Sequence, residues 1–147
     1  MYLYHVAINE NTQELRQELI QRGLRAADND LKLPVLLCKN GLFYSVPYIN
    51  QITVNDPSFI GLPIQDKRLF LAIASINSDH DNQQWFVVDE EITCLKTNTT
   101  YKKGDFVFID SALEYENVIL YFHKATPMEL IKYFKNLSLK ELKEGKI

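Results

Sequence analysis

The stretch Leu113-Glu114-Tyr115-Glu116-Asn117-Val118-Ile119-Leu120-Tyr121 decides how the rest of the chain is read. Two carboxylates stand at the entrance of a strongly apolar run, with tyrosine between them and asparagine after them. Side chains alternate across a β-strand, so a strand here sends Glu114 and Glu116 to the same face. Acids fixed together at a rigid strand end present negative charge to a ligand; they also keep an exposed strand edge soluble. Val118 to His123 then reads as the last strong strand of a sheet.

Working outward, Tyr2 to Ile8 alternates as a strand does and carries His5 on its second face. Asn11 opens a helix, with Glu14 completing a capping pair. Leu15, Leu19 and Ile20 form its buried stripe. Gly23 stops that helix, and Leu24 is the apolar residue expected just past a glycine cap. Pro34 to Cys38 and Leu42 to Val46 flank the turn pair Asn40-Gly41. Residues 47–66, with Pro47, Pro57 and Pro63, form a long loop. Leu69 to Ile76 is continuously apolar, the pattern of a strand buried on both faces. A polar loop, Asn77 to Gln84, leads to strands at Trp85 to Val88, Ile92 to Leu95 and Asp105 to Asp110, the last two joined through Lys102-Lys103-Gly104. Thr126-Pro127-Met128-Glu129 combines a cap, a first-turn proline and a capping glutamate. Leu130, Ile131, Phe134 and Leu137 line that helix, Met128 and Leu142 read as core, and Ser138 with Glu141 reads as a second cap that bends the tail. The pattern predicts one α+β domain over residues 1–147: a strand-rich mixed or antiparallel sheet core, an N-terminal helix and a helical C-terminal tail.

Composition narrows the function. A chain of 147 residues can build a core without disulfides or metal. Its net charge of −3 gives no basic surface for nucleic acid, and Arg16, Arg22 and Arg25 read as a solvated helix end. No apolar run reaches the length of a membrane span, and no basic region followed by an apolar stretch opens the chain. Cys38 and Cys94 are too few and too far apart for a metal cluster or a disulfide framework, and Cys38 reads as a buried small hydrophobe. These features predict a cytoplasmic protein. Asp79-His80-Asp81 has metal-binding residue types, but it lies in an asparagine- and glutamine-rich loop without a second spaced histidine, so no metal is expected. Lysines and glutamates mix along the tail as on an ordinary solvated face.

The order of a strand-borne His5, a helix closed by Gly23-Leu24, a Phe43-Tyr44 strand and a late Tyr115-Glu116 strand resembles the ADP-ribosyltransferase fold. The likeness is to its histidine-tyrosine-glutamate branch, that of poly(ADP-ribose) polymerases and diphtheria-type toxins. That branch has tyrosine, asparagine and glutamate leading into an apolar strand, which Leu113 to Tyr121 partly echoes. The resemblance covers the order of elements over most of the chain. It implies a divergent transferase that binds NAD and passes ADP-ribose to a macromolecular acceptor. Glu116 would contact the ribose hydroxyls and stabilise the oxocarbenium-like charge of bond cleavage. Glu114 resembles the upstream acid of the arginine-modifying branch. Tyr44 or Tyr48 would lie against the nicotinamide ring, and His5 would hydrogen-bond the other ribose. Val6 and Ala7 follow His5 where the family has glycine and then serine or threonine, so the expected hydroxyl is missing. That departure, the proline-bearing loop and the abundance of tyrosine, a residue favoured at interfaces, give the alternative. On that reading the chain is a non-catalytic protein-binding module, a small inhibitor or regulator docking on a protein partner.

Overall fold

The computed structural model describes residues 6–27, 32–39, 41–47, 66–76 and 81–145. The fold class is α+β, as the sequence predicts, and the contacts group into two compact units: Met1–Ser78 with Pro127–Ile147, and Asp79–Thr126.

In the first unit, β1 (Val6–Ile8), β2 (Arg25–Ala26), β3 (Val35–Lys39) and β4 (Leu42–Val46) form a sheet in the order β1-β3-β4-β2. Lys39 pairs with Leu42, which closes the hairpin expected around Asn40-Gly41. Gly41 takes a φ of +78°, a conformation that favours glycine. Asn40, the predicted strand start at Tyr2 to His5, and residues 48–65 of the predicted long loop lie outside the described residues.

Helix α1 (Gln13–Gln21) is capped by Thr12, whose hydroxyl accepts the Leu15 amide at 3.2 Å. The cap is not Asn11, because its side-chain amide is taken up by Arg16 and by the Leu33 carbonyl. Leu15 and Leu19 are buried, but Ile20 is 57% exposed, one residue and about 100° beyond Leu19. At the other end the Leu24 amide donates to the Leu19 carbonyl and the Gly23 amide to that of Ile20. With Gly23 at a φ of +94° and Leu24 buried, this is the glycine stop read from the sequence.

The apolar run Leu69 to Ile76 is not a strand. It makes most of α2 (Lys67–Ser75), which is buried from Phe70 to Ser75. A short apolar run reads alike for a buried strand and a buried helix. Here the Asp66 side chain caps the first turn by accepting the Arg68 amide at 2.8 Å, and Ala72 and Ala74 favour helix. Helix α2 packs against α1, β1 and α3 (Pro127–Lys143).

Helix α3 starts at Pro127 as expected and runs unbroken through Ser138, so the second cap and bend are absent. Leu130 and Phe134 are buried, whereas Met128 and Leu142 are exposed rather than core. Met128 stands about 200° around the helix from Leu130, and Leu142 about 80° from Phe134. Arg68 joins α2 to α3. Its guanidinium meets Glu141 at 2.8 Å and Asp66 at 2.9 Å, and lies 5.5 Å from the Phe134 ring centroid.

In the second unit, β5 (Gln84–Val88) lies between β8 (Phe106–Ile109) and β9 (Phe122–Lys124) and runs antiparallel to both. The hairpin of β6 (Ile92–Cys94) and β7 (Thr99–Tyr101), the latter not anticipated from sequence, adds Ile92, Cys94 and Tyr101 to a core with Phe86, Val88, Ile109, Val118 and Phe122. Because β8 and β9 flank β5 with the same direction, the chain must return along the length of β5 between them. It leaves β8 beside Gln84 and enters β9 beside Val88. The connection, residues 110–121, contains two 3-10 turns, Ala112–Tyr115 and Ile119–Tyr121, with Val118 only 2% exposed between them. The predicted strand Val118 to His123 is therefore reduced to β9. Among the described residues no helix is long and apolar enough to cross a membrane.

Partial burial raises the Asp66 carboxyl, and the side-chain and backbone hydrogen bonds from Arg68 outweigh it, leaving the group below its ordinary value. A carboxylate lowered by folding adds stability above its unfolded pKa of about 3.9 and loses it as pH falls through the folded value. Asp66→Asn keeps a capping oxygen but loses the ion pair. In urea titrations it should be less stable than wild type at neutral pH by up to about 1 kcal/mol. The gap should close on acidification through the range below pH about 4; a gap independent of pH would contradict the assignment.

Candidate functional site

The crossover between β8 and β9 is clamped at both ends. At its start the Ala112 amide donates to Asn82 Oδ1 at 2.7 Å and the Gln83 amide to the Asp110 carbonyl at 3.3 Å. The Gln83 side chain also donates to the Asp110 carboxylate. At its end the Asp89 amide donates to the Tyr121 carbonyl at 2.8 Å. Between these points the Glu114 amide reaches the Ser111 carbonyl at 3.2 Å, and the Val118 and Tyr121 amides reach the carbonyls of Tyr115 and Val118, each at 2.9 Å. Val118 points into the core, with Tyr115 and Ile119 packed against it. That inward turn leaves Leu113 and Leu120 on the outside, 72% and 88% exposed.

A groove of about 470 Å³ follows the crossover, lined by Asp81 and Asn82 and, from the crossover itself, by Ala112, Leu113, Glu116, Ile119 and Leu120. Lys124 Nζ lies 3.3 Å from Asp81 Oδ1, so that carboxylate is paired. Glu116 is exposed and has no ion pair among the described residues. Beyond the groove, His123 Nδ1 lies 2.6 Å from Asp89 Oδ1.

Of the predicted site residues that are described, Glu114, Glu116 and Tyr44, only Glu116 lines this groove. Glu114 does not join it, which corrects the expectation of two acids on one strand face. Both residues have turn rather than strand backbone: Glu114 lies within the first 3-10 turn, and Glu116 closes it at φ −48°, ψ −38°. Successive residues of such a turn are about 120° apart, so positions i and i+2 diverge by about 120° instead of aligning. Half-buried Tyr115 packs on the core between them.

Tyr44 belongs to the first unit. It sits on β4 opposite Leu37 and packs with Ala7, Val35 and Leu37. Burial, and then nearby Cys38, raise its phenol above the ordinary value, as befits a half-buried sheet residue. His5 and Tyr48 lie outside the described residues, as do Asp79 and His80 of the loop triplet. Cys38 is fully buried and its thiol is pushed up by burial. Among the described residues no group of three or more histidines, cysteines and carboxylates is placed to hold a metal ion.

Sequence reasoning missed the roles of Asp81, Asn82, Leu113 and Leu120. Asn82 is a residue type that caps turns, but its partner lies 30 residues further on. The two leucines carry no local sign of exposure, since they belong to a run that reads as core. No protein family, characterised protein or solved structure matches the chain.

The side chains of Asn82 and Gln83 both hold the start of the crossover. Asn82→Ala should cost about 1 kcal/mol and speed hydrogen exchange of the Ala112 amide more than exchange in β5, whose amides follow only the change in global stability. Unaltered exchange at Ala112 would show that the cap does not hold the turn.

Proposed function

We propose that the protein is a non-catalytic protein-binding module whose second unit receives a partner segment in the groove beside residues 112–121. The observation that carries this reading is the exposure of Leu113 and Leu120 on a backbone fixed at both ends. Covering a fully exposed leucine contributes about 1.5–3 kcal/mol, and a groove formed in advance loses little further freedom on binding. Asn82 and Glu116 supply polar groups of the kind that orient a ligand above an apolar contact. Cys38 and Cys94 are both free, which fits a reducing, cytoplasmic setting.

A second reading is favoured by one observation, the exposed Glu116 carboxylate in the groove wall. On that reading the chain is a divergent ADP-ribosyltransferase-like enzyme. Glu116 would stabilise the positive charge that develops on the ribose of NAD as the nicotinamide bond breaks, and ADP-ribose would pass to a macromolecular acceptor.

The two readings separate by experiment. A displayed random-peptide library panned on the protein should yield binders whose affinity is lost in Leu113→Ser/Leu120→Ser, while the unfolding free energy stays within about 0.5 kcal/mol of wild type, since both side chains are exposed. Failure to select binders, or selected peptides indifferent to the double substitution, would overturn the docking reading. The transferase reading expects millimolar NAD to raise the thermal midpoint by mass action and Glu116→Gln to abolish NAD cleavage without unfolding. The module reading expects neither.

A further inference from the structure

Resting on the groove as a docking site, we infer that the segment it receives is cationic, with a lysine or arginine set against Glu116 and an apolar side chain placed between Leu113 and Leu120. The charge distribution carries this step. Residues 79–126 contain nine carboxylates and four lysines, a net charge of −5, against a net charge of −3 for the whole chain. The remaining residues are therefore net +2.

The four lysines leave Glu116 without an ion pair among the described residues. Lys96 lies in the turn between β6 and β7, and Lys102 and Lys103 precede β8. Lys124 is committed to Asp81, and among the described residues no lysine or arginine lines the groove. Glu116 is thus an exposed anion beside two exposed leucines, with Asp81 already paired and Asn82 Oδ1 already accepting the Ala112 amide. An acidic or phosphorylated segment meets repulsion there, and a wholly apolar one leaves the carboxylate without a partner as water is displaced. A cationic segment satisfies Glu116 and is drawn in by the field of the whole unit. The apolar rim selects a protein segment over a free small cation, since a cation alone covers neither leucine.

The test uses three labelled peptides of one length and one apolar content, differing only in whether the polar positions are lysine, glutamine or glutamate. Each is titrated into the wild type, Glu116→Gln and Glu116→Lys at about 0.05 M and about 0.5 M salt, where screening differs severalfold. The lysine peptide should bind wild type at least about fivefold more tightly than the glutamine peptide at low salt. That preference should shrink at high salt, vanish in Glu116→Gln and turn toward the glutamate peptide in Glu116→Lys. Equal binding of all three peptides, still abolished by Leu113→Ser/Leu120→Ser, would overturn the cationic assignment and leave the docking site standing. Binding of none of them to wild type would overturn both.

Discussion

Strand β5 has hydrogen-bonded partners on both sides, and the second unit follows from that constraint. β8 and β9 occupy its two edges in the same direction, so the chain joining them cannot take another place beside β5 and must pass back along it. Crossovers between parallel strands need about a dozen residues, and residues 110–121 supply that length. The return is made in turns because the hydrophobic demand falls on one position, Val118, rather than on every second residue. Two clamps, Asn82 at the start and the Asp89 amide at the end, fix the register of the turns. With Val118 inward, Leu113, Glu116 and Leu120 have only the outer side left to them. The groove and its exposed leucines are thus consequences of strand order.

The first unit is built on a different principle. Its sheet buries Val35 to Cys38 along β3, and α2, apolar on nearly all sides, packs against α1, α3 and β1. Polar interactions sit at the margins of that packing. Arg68 is shared by Asp66, Glu141 and the Phe134 ring, and the Arg22 guanidinium donates to the Ser75 hydroxyl at 3.3 Å, which itself donates to the Leu71 carbonyl. No buried side-chain polar atom among the described residues lacks a partner, as a stable core requires. Tyr44 belongs to this packing, and its raised phenol is a by-product of burial.

Elements whose signals are local were legible in the sequence. The hairpin of β3 and β4, the Gly23-Leu24 stop and the proline-led start of α3 are each written within a few residues. The misread segments, Leu69 to Ile76 and Val118 to Tyr121, are apolar runs whose conformation depends on distant partners. Asp66 and the surrounding helices settle the first; the occupied edges of β5 settle the second. The same split holds for the site. Glu116 stands out because a carboxylate beside an apolar run is locally conspicuous, but its pairing with Glu114 assumed a strand. Leu120 was hidden by the same assumption, since an apolar residue in a supposed core strand gives no reason to expect exposure. Asp81 and Asn82 enter from 30 or more residues away and carry no signal that links them to Glu116.

The groove depends on the conformation of residues 112–121, and backbone assignment of the labelled protein by NMR addresses it directly. Turn conformation gives strong sequential amide–amide Overhauser effects from Ala112 to Tyr115 and from Val118 to Tyr121, with Val118 methyl contacts to Phe86 and Phe122. Those are the results predicted. Extended-chain shifts from Leu113 through Tyr121, with cross-strand contacts continuing upstream of Phe122, would place Glu114 and Glu116 on one strand face and contradict the account.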